Sequence, residues 1–324
     1  VSKPRYLVVG GGGFIGCHLV RELLSRGHGV RVLDNFTTGH RANLDGLAGE
    51  LEIIEGDIRD RAVVSQAVEG ISHILHQAAL PSVVRSVADP LTSHEVNVTG
   101  TLNLLLAARN AKVERFVFAS SSSVYGDTTE LPKEEGMHPR PLSPYAIGKL
   151  CAEQYCRVFH SLYALNTVVL RYFNVFGPRQ DPNSPYSAAI PMFIRAILNG
   201  QRPGVKGDGR QTRDFTYVAN VVHANLLACT AKDVGGEVFN VGGGQRYSLL
   251  DLLSSLGKLG KTPVDPVFEP PRPGDVRDSQ ADINRAQRSL GYAPIVGFDD
   301  GLRETLSYYK SLRETSHPPL TFPR

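Results

Sequence analysis

The chain has 324 residues, 41% hydrophobic and 21% charged, with 35 lysines and arginines against 32 acids and a formal net charge of +3. That balance excludes a disordered chain, predicts about two domains, and supplies enough apolar material for a large core without disulfide or metal staples. The small, dispersed positive surplus contains no dense basic run, so no nucleic-acid partner is expected, and no apolar run reaches the roughly 18 residues of a membrane span.

The four cysteines, Cys17, Cys151, Cys156 and Cys229, form no CxxC pair and no zinc-like cluster. Free thiols in a reducing compartment and no metal site are expected. Nothing resembles a signal peptide, and a cytoplasmic location is expected.

In chain order, Tyr6 to Val9 is a short apolar run ending in glycines, the pattern of a buried strand. Phe14 to Arg26 carries apolar residues at helical spacing and stops at Gly27. Val30 to Leu33, Leu51 to Ile54, Ser72 to His76, Arg115 to Ala119 and Thr167 to Leu170 read as further strands. Helices are predicted between them, notably over Thr92 to Asn110 and Tyr145 to His160. Strands alternating with helices imply an α/β fold, a Rossmann-type doubly wound parallel sheet with ligands at the strand C-terminal ends. Prolines interrupt the pattern after Arg171, at positions 178, 182, 185, 191 and 203 and again between 263 and 273. The expected division is residues 1–176 with 213–240 as the dinucleotide-binding domain. Residues 177–212 with 241–324 form a smaller mixed α/β substrate domain.

Gly10, Gly13 and Gly16 form GxxGxxG between the first strand and helix, and Gly11 and Gly12 loosen the loop further. Such glycines permit a tight turn, close approach to a pyrophosphate, and close helix packing, while the helix N-terminus favours phosphate. Asp34 ends the next strand, where a carboxylate accepts from both ribose hydroxyls and repels a 2′-phosphate, favouring NAD over NADP. The alternative is a plain glycine turn beside an acidic strand end. Asp57 and Ile58 follow the third strand, where adenine would lie, although Asp57 could instead cap a helix. Gln77, Ala78 and Ala79 would let the chain run close to a cofactor, and His76 reads as a packing residue.

Tyr145 and Lys149 form YxxxK on one helix face. The ammonium is expected to lower the tyrosine pKa toward working pH, so that the phenol takes a proton from a substrate hydroxyl while a nicotinamide takes hydride. Ser120 to Ser123 end the preceding strand, and a serine there can hold the reacting oxygen, or else serve as turn chemistry.

Together these features resemble the extended short-chain dehydrogenase/reductase superfamily, and within it the NAD-dependent nucleotide-sugar 4-epimerases of UDP-hexose and UDP-N-acetylglucosamine type. The resemblance rests on residues 9–16 (VGGGGFIG), Asp34-Asn35, the serine run with Val124-Tyr125-Gly126, residues 143–149 (SPYAIGK) and 171–178 (RYFNVFGP). Further matches are Gly207-Asp208-Gly209, Arg213-Asp214-Phe215 and Arg272-Pro273-Gly274-Asp275, so that it spans nearly the whole chain. It implies catalysis by Ser121, Tyr145 and Lys149. It also implies NAD held by Gly10, Gly13, Phe14, Ile15, Gly16, Asp34, Asn35, Thr38, Gly39, Asp57, Ile58, Gln77, Ala78, Ala79, Asn97, Tyr145, Lys149 and Tyr172. The implied substrate contacts are Ser82, Val83, Ser121, Ser122, Ser123, Tyr145, Asn174, Arg179, Ala188, Ala189, Val205, Arg213, Arg272, Asp275 and Ser279. For Arg213 and Arg272 the role is a guanidinium fork on the diphosphate; the alternative is a surface salt bridge. Asp275, matched to a ribose contact, could be a turn residue.

The implied reaction inverts C4 of a UDP-sugar through a 4-keto intermediate, with NAD regenerated in each turnover and held tightly. The dehydratase branch has an Asp-Glu pair after its catalytic hydroxyl; serines stand there, so 4,6-dehydration lacks its acid and base. Asn220 replaces the family's frequent aspartate and reads as structural. Ser279 stands where some 4-epimerases carry a bulky tyrosine, leaving room for an N-acetyl group without excluding plain hexoses. A uronate substrate is the alternative. Asp181 would repel a C6 carboxylate if it faced the sugar, although Arg179 or Arg195 could serve. Another reductase or decarboxylase, or an inactive nucleotide-sugar-binding protein, also stays open. A homodimer through the Thr92–Asn110 and Tyr145–His160 helices is implied, burial within one chain being the alternative.

Overall fold

The computed structural model describes residues 5–182, 188–261, 263–271 and 276–315. Its centre is a parallel sheet of β1 (Arg5–Val9), β2 (Gly29–Asp34), β3 (Leu51–Glu55), β4 (His73–His76), β5 (Arg115–Ser121), β6 (Thr167–Tyr172) and a last strand, Glu237–Val241. The spatial order is Glu237–Val241, β6, β5, β4, β1, β2, β3. The chain reverses direction between β1 and β4, which opens a crevice at the carboxyl ends of those strands.

Because side chains alternate along a strand, each one feeds two cores. Tyr6 and Val8 of β1 join one with Val30, Val32, Val117, Val168 and Leu170. Leu7 and Val9 join the other with Leu33, Ile74, Phe116, Phe118 and Val169. The first face is covered by the Phe14–Ser25 helix, through Cys17, Leu19, Val20 and Leu23, and by the Val218–Thr230 helix, through Val221, Ala224 and Ala228. The second is covered by Arg61–Val68, Thr101–Asn110 and Pro144–Tyr163, the last burying Ala152, Cys156 and Phe159. Burial on both faces explains why these strands read as continuous apolar runs.

Two predicted helices differ in detail. The segment read as Thr92–Asn110 comprises Pro90–His94, a π-helical stretch Glu95–Gly100, and Thr101–Asn110. Asp89 caps its start by accepting from Thr92 N. The helix read as Tyr145–His160 runs over Pro144–Tyr163, with Ser143 Oγ accepting from Ala146 N at 3.2 Å and Pro144 at its first turn, a favoured pairing.

A third core gathers Phe176, Ile190, Phe193, Phe215, Tyr217, Leu252 and Leu256 with Phe298 and Leu302. It is built on the Ala189–Leu198, Leu249–Gly260 and Phe298–Thr315 helices. Phe215, Tyr217 and Val218 belong to this core, whereas the same helix from Val221 onward packs onto the sheet. Asn220 is structural: its Oδ1 accepts from Ile295 N and Val296 N, and its Nδ2 donates to Val296 O. No helix among the described residues is long and apolar enough to cross a membrane.

Candidate active site

The glycine loop has no room for side chains. Gly10 holds φ +82°, and a Cβ there would lie 2.6 Å from Ala78 N. A Cβ on Gly16 would lie 2.1 Å from the Gly10 carbonyl, and one on Gly13 3.2 Å from it. Phe14 and Ile15 begin the helix that follows, Phe14 against the third core and Ile15 against the first. Asp34 is buried, and its two oxygens accept from Gly12 N and Phe36 N, each at 2.8 Å. The carboxylate thus holds the loop, and its remaining lone pairs can still accept from a ribose. Gly39 is pressed against Gly12, with a Cβ distance of 2.7 Å, while Asn35 and Thr38 are exposed at the rim.

Asn35 Nδ2 donates to Asp57 Oδ2 at 3.0 Å. Asp57 is also paired with Arg59 at 2.8 Å, and Arg59's hydrogen bonds pull its carboxyl down to about 2. It does not cap the next helix; Asp60 does, accepting from Ala62 N and Val63 N. Ile58 is buried against Gly100, where a Cβ would come within 2.5 Å.

After β4, Gln77, Ala78 and Ala79 are half-buried beside the glycine loop. Tyr172 OH donates to Gln77 Oε1 (3.2 Å), Gln77 Nε2 donates to Asn225 Oδ1 (3.2 Å), and Asn225 Nδ2 donates to Tyr172 OH (2.7 Å). Sequence reading missed Asn225, because a polar residue inside an apolar helix shows no partner until the helix is docked. Asn97 is 2% exposed and clamps Leu80, accepting from its N–H at 2.9 Å and donating to its carbonyl. It therefore acts on the site through this loop. His76 is fully buried against Thr101, and burial pushes its imidazole down to about 3, which agrees with a packing role.

The residues expected to be catalytic lie at the end of β5 and at the start of the Pro144–Tyr163 helix. Ser121 Oγ accepts from Ser123 N at 3.2 Å and stands next to Tyr145, whose phenol it draws down. Ser122 and Ser123 open a turn of 3₁₀-helix, and Ser123 Oγ is buried with no partner among the described residues, as a ligand-facing hydroxyl would be. Lys149 is 3% exposed and donates from Nζ to the Ala119 carbonyl at 2.8 Å, with the Tyr145 ring centroid 5.8 Å away. The expected depression of the tyrosine is not found: burial pushes the Tyr145 phenol up, with only the Ser121 hydrogen bond opposing it. The ammonium is aimed at a backbone carbonyl instead, and burial takes Lys149 itself down to about 8.

A cavity of about 250 Å³ lies beside this edge, lined by Asn174, Ala188, Ala189, Gln211 and Arg213 among others. Arg213 Nη1 donates to the carbonyls of Thr212 (2.8 Å) and Arg277 (3.0 Å). Val205 does not reach the cavity: strand alternation buries it completely in the third core while Gly204 and Lys206 line the wall. Lys206 and Gln211 are lining residues that the reading missed, although they stand within the same motif region. Arg179, at φ +68°, is also turned away, its guanidinium 5.8 Å over the Tyr308 ring. Asp181 Oδ2 lies 3.8 Å from His40 Nε2, on the loop that follows β2. Ser279 is 7% exposed and is tied by its N–H to Thr212 O at 3.1 Å. Ser82 holds φ +102° and caps a short helix, with Val83 exposed after it. Arg272 and Asp275 lie outside the described residues.

Residues 6–242 match the family described as the NAD dependent epimerase/dehydratase family. The chain belongs to that family. Among curated relatives, a UDP-glucose 4-epimerase of Mycolicibacterium smegmatis is 39% identical over 95% of this chain and 99% of its own length. A UDP-N-acetyl-alpha-D-glucosaminuronate decarboxylase of Bacillus cytotoxicus is 34% identical, covering 96% and 99%. The solved UDP-N-acetylglucosamine 4-epimerase of Methanobrevibacter ruminantium, in complex with UDP-N-acetylmuramic acid, superposes with TM-score 0.92 at 39% identity, covering 96% and 100%. The UDP-glucuronic acid 4-epimerase of Bacillus cereus, in complex with UDP-glucuronic acid and NAD, superposes with TM-score 0.89 at 34% identity, covering 95% and 99%. The residues present fit the cofactor of this family: at Gly10 and Gly16 the loop packs so closely on its own backbone that only glycine fits, and Asp34 accepts from Gly12 N at its edge.

One family motif residue has a structural role that its spacing did not reveal. Asp214 is fully buried and accepts from Gly243 N (2.6 Å), Gly244 N (3.0 Å) and Ala281 N (3.1 Å). Burial raises its carboxyl from 3.8 to about 6. A raised acid pKa means that the native state binds the proton first. Asp214's contribution therefore favours folding below about pH 4 and is lost as pH rises through about 6, a difference of about 3 kcal/mol. Denaturant titrations should show wild type gaining this much on Asp214→Asn between pH 7 and pH 4. A pH-independent gap between the two proteins would refute it.

Proposed function

We propose that the protein is a UDP-sugar 4-epimerase that inverts C4 of a UDP-hexose or UDP-N-acetylhexosamine, with NAD tightly held as its cofactor. The observation that carries this reading is Tyr145, next to Ser121 and one helical turn from Lys149, in a chain whose first strand–helix loop leaves no room for a Cβ at Gly10 or Gly16. Tyr145 takes the proton of the sugar 4-hydroxyl while Ser121 holds the same oxygen. Bound NAD supplies a hydride acceptor and donor at C4. Inversion requires the 4-keto sugar to present its other face, which suits a firm grip on the diphosphate by Arg213 and Asn174 and a loose one on the sugar.

UDP-glucuronate 4-epimerase is the second reading. Asp181, the group that would repel a C6 carboxylate if it faced the sugar, lies 3.8 Å from His40 Nε2 instead, which supports keeping a uronate as the second substrate. The test is to incubate the purified protein, without added cofactor, with UDP-glucose, UDP-N-acetylglucosamine and UDP-glucuronate in turn, following the anomeric protons by NMR. The galacto isomer is expected from one of them with no net NADH. Carbon dioxide release would make it a decarboxylase, steady NADH consumption a reductase, and no product from any sugar an inactive binding protein.

The homodimer belongs to the same proposal. Val84, Val87 and Leu91 on one side, and Ile147, Val158 and Leu162 on the Pro144–Tyr163 helix, are apolar and exposed, between 42% and 70%. Two copies pairing these helices would cover them. Light scattering is expected to report a dimer for wild type and a monomer for Val87→Asp combined with Leu162→Asp. The division into residues 1–176 with 213–240 and 177–212 with 241–324, and a cytoplasmic location, are parts of this reading too.

A further inference from the structure

Beneath the reactive residues lies a buried charge cluster that the mechanism above does not use. Glu153 follows Lys149 by four residues on the Pro144–Tyr163 helix, continuing the stripe that begins at Tyr145. It is completely buried, and Arg171 is 3% exposed. The two form a bidentate pair, Arg171 Nε to Glu153 Oε1 at 2.9 Å and Nη2 to Oε2 at 2.7 Å. Ser120 Oγ donates to the same carboxylate. Arg171 also stacks 4.7 Å over the Tyr125 ring, and Tyr125 OH donates to Asn240 Oδ1 at 2.6 Å.

The register gives this cluster its meaning. Ser120 of β5 stands opposite Arg171 of β6, and the next pair along is Ser121 opposite Tyr172, both in the site. One carboxylate from the helix thus grips both strands one residue before the reacting serine. A buried ion pair contributes little net stability, since desolvation offsets its attraction. Two apolar side chains would pack the same space, so its geometry calls for another use.

We propose that Glu153 and Arg171 are positioning residues of the reaction centre: the carboxylate locks the Tyr145–Lys149 helix against the Ser121 strand, and its charge, balanced by Arg171, sets that of Lys149. The groups facing Lys149 leave few other sources of charge. On its own helix they are Tyr145, Glu153 and Cys156; from β5 the Ala119 carbonyl and the Phe118 ring; from β4 His76. His76 is held neutral by burial and Cys156 is pushed up by burial, so Glu153 is the anion of the set. Arg171, on β6, acts through Glu153.

The test is the titration of Lys149, followed by NMR of protein carrying ¹³Cε-lysine, the signal being the one lost in Lys149→Met. Glu153→Gln removes the anion and is expected to move the midpoint down by about one pH unit; Arg171→Met leaves the anion unbalanced and is expected to move it up. The double variant should return close to wild type, and Arg171→Lys, which keeps the charge, should not shift. Midpoints that stay put, or that move the same way in both single variants, overturn the proposal. Should a single variant fail to fold, the double variant, which strands no charge, and Ser120→Ala, which keeps both, decide the case. Each is then expected to lose about 10- to 100-fold in kcat with KM held and the Lys149 midpoint near wild type. Full kcat in both would overturn the proposal. The kinetic arm rests on the epimerase reading; the lysine titration does not, so the two can fail separately.

Discussion

Tyr145→Phe is expected to reduce turnover of the UDP-sugar by about 10²- to 10⁴-fold, the usual share of a positioned proton-transfer group. The substitution removes one oxygen from a half-buried ring at the first turn of a 20-residue helix whose cap, Ser143, is untouched. The fold should therefore survive. Uridine diphosphate affinity should change little, because Asn174 and Arg213 line a different wall. Calorimetric binding of UDP beside NMR turnover checks both halves. Retained turnover would remove Tyr145 from the proton path, and a parallel loss of UDP binding would recast it as a structural residue. Burial raises the ligand-free phenol and takes Lys149 down to about 8, so the ammonium is lost before the phenol ionises; the wild-type rate is expected to increase with pH up to about 8 and no further.

Gly16→Ala is expected to empty the cofactor site. The added Cβ would sit 2.1 Å from the Gly10 carbonyl, a distance no rotamer relieves because the backbone fixes the position of a Cβ and the carbonyl is itself backbone. The first helix must then back away from β1, widening the cradle against which a pyrophosphate would lie. Overpacking of this kind costs about 1–3 kcal/mol in stability. Purified wild type should carry bound dinucleotide, visible in its ratio of absorbance at 260 and 280 nm, and the variant should not. Gly136→Ala is the control, since nothing lies within 4 Å of its added Cβ. A Gly16→Ala protein that keeps its dinucleotide and its melting temperature would show that the loop is not the cradle.

What could be read in advance divides along a physical line. Contiguous features were legible. The β1 run into Gly10, Gly13 and Gly16, the carboxylate ending β2, and the Tyr145–Lys149 spacing are local, and local backbone geometry decides what they can do. Features that depend on which way a side chain turns were not. Val205 and Arg179 lie in the right segments but point elsewhere, one because alternate residues of a strand face opposite ways, the other because its backbone turns it onto Tyr308. Asp181 would bar uronates only if it faced the sugar, and the spacing could not show that its loop brings it within 3.8 Å of His40.

By itself, the sequence determined the order of strands and helices, the glycine-rich loop after β1 and the placing of Tyr145 and Lys149 on one helix face, because periodicity and glycine placement act over a few residues. Tertiary structure alone decided the partners of buried polar groups. Asn225 meets Gln77 across 148 positions, and Glu153 meets Ser120 and Arg171 across 33 and 18. A buried polar group must find its hydrogen bonds wherever the fold brings donors and acceptors together. No spacing along the chain encodes that meeting.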